Sequence, residues 1–461
     1  MPLLDPHIFR AYDIRGKVGT QLHKEAYRLI GKGFGSILTE LYSKKHPSVA
    51  VGRDARTHSP DFEGALIEGL TSAGCRVLHI GQTPSPLNYF TICEKKLDGG
   101  VQVTASHNPS NDNGIKLQVR EAHAYAGEDL QLLRERIEGG NLVEGKGSVK
   151  EYDAATPYLR FLEKLFRPLK KGMPVAVDTG NGVAGPVYAE IFKRLHCRLT
   201  GLFIEPDGTF PNHPADPSKR ETLADLQKAV VQHGCAIGFG FDGDGDRLGV
   251  VDEQGVVRTA DEMLLLLAHD HLSRYPGKPV VFTVSNSGTL WTEIKKWGGK
   301  PVMCKVGHSF VEHAMREHAA LLGGEQSGHF FCGEGFFTYD DALVASLRIL
   351  KILSNSEKPL SALCAAFPKV YQSPELRPYC PDAHKTRVIR ELTEHFQKEY
   401  PVETMDGARI DFGDGAWAGI RQSNTSPCLS FCLEARSPEK LAQIEKIVLD
   451  EVRKHPEVKL D

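Results

Sequence analysis

The sequence predicts a multidomain α/β protein, with three similar mixed or parallel-sheet α/β domains and a fourth, α+β domain, arranged around a central cleft. Three observations carry that prediction. At 461 residues the chain is too long for one core, since domains average about 150 residues. A strand–loop–helix–strand unit recurs three times along it. The segment after residue 367 breaks that pattern and reads as strands between two helices. The boundaries that follow are 1–150, 151–254, 255–367 and 368–461.

The first unit opens on a β-branched run, Val49-Ala50-Val51, that meets Gly52 and a polar loop. Ser59-Pro60 then starts a helix, with the serine as N-cap and proline at the first helical position. Phe62, Ala65, Leu66, Gly69, Leu70 and Ala73 recur at helical spacing, which puts them on one face. Gly74 ends the helix, and 76–80 is a strand. The second unit has a strand over 174–177, a glycine-rich loop over 180–185, a helix lined by Val187, Ile191 and Leu195, and a strand over 198–204. In the third, a strand over 279–284 leads through Ser285-Asn286-Ser287-Gly288 into a helix through Leu290, Ile294 and Trp297. Gly298-Gly299 and a strand over 301–306 follow. The last segment reads as a helix over 384–400, strands over 407–412, 416–421 and 428–435, and a helix from Ser437-Pro438 to 455.

Composition excludes several classes. The 56 basic and 59 acidic side chains nearly cancel, leaving a net charge of −3, which argues against a nucleic-acid or membrane-surface protein. With 41% hydrophobic and 25% charged residues the chain is not disordered by charge excess. The ten cysteines are scattered without a C-x-x-C pair and read as buried reduced thiols. No basic segment followed by an apolar run stands at the N-terminus, and the longest strongly apolar run is 263–268, so a cytoplasmic protein is expected. The 45 glycines have no repeating period, which directs attention to single loops where backbone approaches a ligand.

Each repeat delivers one polar loop from the end of a strand. The strand over 100–104 runs into Ala105-Ser106-His107-Asn108-Pro109, that over 236–241 into Asp242-Gly243-Asp244-Gly245-Asp246-Arg247, and that over 320–323 into Gly324-Glu325-Gln326-Ser327-Gly328-His329. Ligand sites of parallel α/β sheets lie at the carboxyl ends of strands, so domains sharing one cleft would bring the three loops together.

Asp242, Asp244 and Asp246 alternate with glycines, a spacing that lets three carboxylates curl around one hard cation such as Mg²⁺. An EF-hand also begins D-x-D-x-D, but Arg247 stands where that loop needs glycine. A solvated acidic turn is the bland alternative, opposed by the mutual repulsion of three close carboxylates. Ser106 lacks the G-x-S-x-G setting of a hydrolase nucleophile and, read alone, sits in an ordinary Ser/Asx turn. A serine that carries phosphate fits the set better, because phosphoserine oxygens could complete the metal site. Lys116 could then neutralise charge or move a proton. Arg421, Ser423, Asn424 and Thr425 suit a phosphate dianion, though a polar hairpin loop would look the same. Glu325, Ser327 and His329 can exchange hydrogen bonds with neighbouring hydroxyls, as a sugar requires.

Together, Phe9-Arg10-Ala11-Tyr12-Asp13-Ile14-Arg15-Gly16, Thr104 to Pro109, Asp242 to Arg247, Gly324 to His329 and Arg421 to Thr425 resemble the α-D-phosphohexomutase family. The bacterial phosphomannomutase/phosphoglucomutase branch is the nearest match, and the resemblance spans the chain in order. It implies four domains around a central cleft, carrying in turn a phosphoserine loop, a metal loop, a sugar loop and a phosphate loop. It implies a hexose 1-phosphate/6-phosphate mutase acting on mannose, glucose or both, through phosphoserine 106 and a hexose 1,6-bisphosphate. Ser106, Asp242, Asp244 and Asp246 would hold one Mg²⁺ per chain. Arg15, His107, Lys116, Arg247 and His329 match catalytic positions near the transferring group, with Tyr12 and His308 on the substrate side. Glu325 and Ser327 match the sugar loop, and Arg421, Ser423, Asn424 and Thr425 the loop for the non-transferring phosphate. The expected partner is a small phosphosugar, with no nucleic acid and no membrane, in a monomer or homodimer whose last domain closes on ligand.

Two positions depart from the branch. Gln326 stands where methionine is usual, and glutamine there is common in phosphoglucosamine mutases; Ser285-Asn286-Ser287 stands where a lysine is frequent. Against the amino-sugar alternative, the N-terminal motif Ala11-Tyr12-Asp13-Ile14-Arg15 differs from the Gly-Thr-Asp-Gly of that group. A metal-dependent sugar phosphatase or a kinase would share the acidic loop and the serine but needs a water-activating residue or a nucleotide loop, and no G-x-x-x-x-G-K-[ST] is present. A non-catalytic phosphosugar-binding protein is a third reading, against which stands the coexistence of three strand-end loops with a phosphate loop.

Overall fold

The computed structural model describes residues 4–423 and 426–460. The chain divides into two compact units, Met1–Met263 with Ser327–Ala362 and Leu264–Gln326 with Leu363–Asp461.

The first unit contains two sheets. One has the order Ile14–Lys17, Asp112–Val119, Gly99–Val103, Ser48–Arg53, Arg76–Gln82, Ser148–Glu151, with His123–Ala124 pairing Asp112–Val119. Ser48–Arg53 runs parallel to both neighbours, as the β-α-β reading requires. Asp112–Val119 is antiparallel to Gly99–Val103, because the short connection through Ser106 leaves no room for a crossover. Val49, Val51, Val101, Val103, Ile115 and Leu117 meet the helices Lys24–Leu41 and Ser59–Ser72 in one core. Serine 59 does not cap its helix as expected. His58 occupies the cap position without a side-chain bond, and the Ser59 hydroxyl donates to Asp54 Oδ1 at 2.7 Å instead.

The other sheet has the order Val257–Arg258, Leu248–Asp252, Ile237–Phe241, Pro174–Asp178, Arg198–Leu202. The same rule recurs here. Pro174–Asp178 is parallel to both of its neighbours, while Leu248–Asp252 returns antiparallel from Ile237–Phe241, with Phe241 opposite Leu248. Both chemically marked loops, at Ser106 and at Asp242, are therefore tight connections between antiparallel strands.

In the second unit Pro279–Thr283 pairs in parallel with Lys300–Cys304 and Leu322–Gly324. Its other sheet is antiparallel throughout, in the order Tyr371–Gln372, Leu429–Ala435, Trp417–Gln422, Ala408–Asp411, Val402–Glu403. Five strands stand where periodicity predicted three, since the two edge strands of two residues each are too short to show alternation. The helices Asp382–Phe396 and Pro438–Val452 cover this sheet, and Ser437 caps the second by accepting from Lys440 N, as its sequence predicts. All ten cysteines are free thiols. No helix among the described residues is long and apolar enough to cross a membrane.

Candidate active site

The strand Gly99–Val103 is buried along its length and delivers Ser106 at its carboxyl end. Ser106 N donates to Thr104 Oγ1 at 2.8 Å, which tightens the turn and leaves Ser106 with φ +52°, in the left-handed region that β-carbons disfavour. The Ser106 hydroxyl, buried, donates to Asp242 Oδ2 at 2.7 Å and lies 3.2 Å from His107 Nδ1. The serine loop and the acidic loop thus meet side chain to side chain.

Asp242 organises the acidic loop. Its Oδ1 accepts the backbone N–H groups of Gly245, Asp246 and Arg247 at 2.9, 3.0 and 3.1 Å. Gly245 has φ +80°, and a β-carbon there would meet Ala184 Cβ and Tyr188 Oη at 2.9 Å, so the turn requires glycine. One ligand atom from each of Asp242, Asp244 and Asp246 falls within 4.8 Å of the others. All three carboxylates are buried. Lys116, on Asp112–Val119, donates to Asp244 Oδ2 at 2.7 Å and to Asp246 Oδ2. Ser85 Oγ also donates to Asp244 Oδ2, at 2.5 Å.

This donor set fits a hard divalent cation. Asp244 Oδ1 and Asp246 Oδ1 are buried without a hydrogen-bond donor among the described residues, a costly state unless a cation takes them up. Three carboxylates also outnumber the single ammonium of Lys116 in contact with them, and oxygen-only ligands select Mg²⁺ or a similar ion. Burial, together with the Asp244 and Asp246 charges, pushes Asp242 well above the usual carboxylate range. Burial would raise Asp246 too, but the charges of Lys116 and Arg247 hold it below that range. Lys116 loses favour by burial and regains more from Asp244 and Asp246, which keep it charged.

The remaining cationic groups frame Ser106. Arg15 Nε binds Asp13 Oδ2 at 2.7 Å, and its Nη1 reaches Asn108 Oδ1 at 3.0 Å and the carbonyl of Ala105 at 3.4 Å. Tyr12 is half-buried in the bend just before Ile14–Lys17. Arg247 Nε donates to His329 Nε2 at 2.9 Å, and His329 Nδ1 lies 2.7 Å from Asp340 Oδ2. That pairing assigns the His329 proton to Nδ1 and its lone pair to Nε2. Desolvation, with the Arg247 and Arg15 charges, pushes His107 well below its ordinary value, so its imidazole is neutral.

The first unit therefore brings together Ser106, His107, Lys116, Arg15, Arg247, His329 and the three aspartates. Ser327 lies in it as well, half-buried, two residues before His329. The second unit holds a separate set. Glu325 Oε2 accepts from Gly307 N at 2.9 Å, at the start of the helix His308–Glu317, so Glu325 and His308 are neighbours. Arg421 is half-buried at the end of Trp417–Gln422, 3.7 Å from Glu375. Ser423 Oγ accepts from Arg377 Nη2 at 3.1 Å and from Ser426 N at 3.2 Å. Asn424 and Thr425 lie outside the described residues.

Several participants escaped the sequence reading. Ser85, Asp340, Arg377 and Lys385 belong to no local motif, and only packing brings them to the loops. Arg56 had a faint signal, as a polar residue just beyond the carboxyl end of a predicted strand.

Four family profiles match the chain in order, all described as phosphoglucomutase/phosphomannomutase: alpha/beta/alpha domain I over 6–143, domain II over 156–255, domain III over 259–371 and the C-terminal domain over 375–451. The chain is 39% identical over 453 residues to a phosphomannomutase/phosphoglucomutase of Pseudomonas aeruginosa, covering 98% of this chain and 96% of that one. It is also 39% identical over 443 residues to a phosphoglucomutase of Neisseria meningitidis, covering 95% of each. The crystal structure of a phosphoglucomutase/phosphomannomutase family protein from Burkholderia thailandensis matches with a TM-score of 0.92 at 35% identity, covering 99% of this chain and all of that one.

Proposed function

The chain belongs to the phosphoglucomutase/phosphomannomutase family, and we propose that it is an isomerase interconverting hexose 1-phosphate and hexose 6-phosphate, of glucose, mannose or both. The observation that carries this reading is the hydrogen bond from Ser106 Oγ to Asp242, which sets a serine hydroxyl against a three-carboxylate cation site. A phosphoryl group on Ser106 passes to the free hydroxyl of a hexose monophosphate. The Oγ–P bond breaks as the sugar O–P bond forms, giving a hexose 1,6-bisphosphate. After reorientation, its other phosphate returns to Ser106 and the isomeric monophosphate leaves.

The residues divide the work. Lys116, held charged by Asp244 and Asp246, neutralises the transferring group and returns a proton to Ser106 Oγ rather than taking one. His329, with Asp340 on Nδ1, becomes the base for the sugar hydroxyl proton when its Nε2 exchanges the Arg247 donor for that hydroxyl. Arg15 and Arg247 supply positive charge, and neutral His107 a hydrogen bond, beside the serine. Asp242, Asp244, Asp246 and phosphorylated Ser106 would hold Mg²⁺, which when bound stabilises charge on the transferring phosphoryl group. Glu325, Ser327 and His308 are assigned to the sugar hydroxyls, with Tyr12, and Arg421, Ser423, Asn424 and Thr425 to the non-transferring phosphate. We read 1–150, 151–254, 255–367 and 368–461 as the four domains, supported by the four profile matches.

Incubation with glucose 1,6-bisphosphate and Mg²⁺ should leave one phosphate on Ser106, readable by intact mass. The loaded protein should then isomerise glucose 1-phosphate or mannose 1-phosphate. Ser106→Ala should bind the sugar phosphate without turning it over; full turnover by that variant sinks the mechanism. Glucosamine 1-phosphate as the preferred substrate would favour the amino-sugar alternative suggested by Gln326.

A further inference from the structure

Arg56 is among the largest fully buried side chains of the described residues, and every N–H of its guanidinium is used. Nε donates to Asp54 Oδ2 at 3.0 Å. Nη1 donates to the carbonyls of Pro109 and Asp112 at 2.5 and 2.9 Å, and Nη2 to those of Ser106 and Asn108 at 3.0 and 2.6 Å. Four carbonyls of one loop thus converge on one planar cation. Asp54 accepts from Arg56 N at 3.0 Å and from Ser59 Oγ at 2.7 Å, while its own N–H donates to the Val103 carbonyl at 2.9 Å. The Phe210 ring lies 5.3 Å from the guanidinium carbon.

An isolated buried guanidinium is expensive, and two extended strands could be joined without one. The loop it grips is the one whose backbone is strained, with Ser106 at φ +52°. Because the Nη2 bond is to the Ser106 carbonyl itself, the guanidinium opposes relaxation of that residue toward the ordinary extended region. Lysine offers the same charge but one donor centre, so it cannot hold four carbonyls in a plane.

We propose that Arg56 is the positioning residue of the phosphoryl-carrying serine: it fixes the conformation of 106–112 and through it the aim of Ser106 Oγ toward Asp242. The catalytic half of this proposal rests on the mutase reading, whereas the anchoring half does not. A misplacement of about 1 Å at a reacting atom can cost about a hundredfold in rate, so a loosened loop should appear in turnover before it appears in affinity.

The test compares the full-length protein with Arg56→Lys and with Asp54→Asn, which keeps the guanidinium but removes its counter-charge and one of the two acceptor oxygens. Amide hydrogen exchange over 104–112 should accelerate in the order wild type, D54N, R56K, with peptides outside 54–59 and 104–112 unchanged. Single-turnover transfer from phosphoserine 106 to glucose 1-phosphate should fall in the same order, by about tenfold or more in R56K, while KM stays within about twofold. Unchanged loop exchange in both variants, or transfer within about twofold of wild type in R56K, would overturn the proposal. If R56K does not fold, D54N decides by the same two readouts. A wild-type protein that transfers no phosphoryl group, yet whose loop loosens in the variants, sinks the mutase reading and leaves the anchor standing.

Discussion

A β-carbon on Gly243 would come within 2.5 Å of the carbonyl oxygen of Ser106. The acidic loop and the serine loop therefore touch backbone to backbone, at the same carbonyl that Arg56 holds. Gly243→Ala must displace one loop or the other. The expected cost is about 1–3 kcal/mol of stability, the usual range for overpacking, measured by urea denaturation. Mutase turnover should fall by about tenfold or more, since the displaced atoms carry Ser106 and Asp242. Wild-type stability and turnover in G243A would show that the loops do not meet as described.

Ser85 bears on the candidate cation site through Asp244. Its hydroxyl occupies Asp244 Oδ2 together with Lys116, leaving Oδ1 as the oxygen without a donor. Removing a hydrogen bond behind a metal ligand typically weakens affinity by about 10- to 100-fold, and Ser85→Ala should do so for Mg²⁺ or Mn²⁺ followed by calorimetry. Ser85→Thr, which keeps the hydroxyl, should recover most of the affinity. Equal metal affinity in S85A and wild type would refute the role.

The loop proposed to take the non-transferring phosphate is clamped by a lysine. Lys385 Nζ, buried, donates to the carbonyls of Ser423 and Ser426 at 2.7 and 3.0 Å, gripping the loop on both sides of residues 424–425. Lys385→Met removes both bonds and a positive charge near the expected phosphate. KM for a hexose phosphate should rise about tenfold with kcat within about threefold, as for a group that binds ground and transition states alike. A fall in kcat at constant KM would contradict this.

Acid should weaken the first unit through Asp98. Burial alone would raise its pKa, but Lys44, the Ser48 N–H and Arg120 bring it down from 3.8 to about 2. The folded value lies below the unfolded one, so the stabilisation is complete above about pH 4 and is lost as the pH falls toward about 2. A shift of that size corresponds to about 2 kcal/mol. Asp98→Asn should lower stability near neutrality and flatten the pH dependence over that window, measured by urea denaturation. Parallel pH profiles for the two proteins would disprove the assignment.

Much of the fold was legible because its signals are local. The face Phe62, Ala65, Leu66, Gly69 and Leu70 announced a helix, and Ser59–Ser72 forms with those residues buried. The strand ends before Ser106 and Asp242 fell within a residue of prediction. The failures are those of short or purely relational features. Tyr371–Gln372 and Val402–Glu403 exist as strands only because a neighbour pairs with them. Ser59 has a cap-forming side chain, yet Asp54 competes for its hydroxyl and wins.

For the site, the sequence by itself determined the chemistry available: three carboxylates spaced by glycines, a serine in a tight turn and a lysine on the next strand. Spacing of that kind is written in adjacent residues, so it survives without coordinates. Only the tertiary structure decided which groups face each other. Lys116 meets Asp244 at a sequence separation of 128, Ser85 meets the same carboxylate at 159, and Arg56 closes on a loop about fifty residues away. Such contacts follow from strand order and from the packing of one sheet's loops on another's. Their energies depend on burial, which no residue carries in its own identity, so the ligands could be read along the chain while the groups that aim them could not.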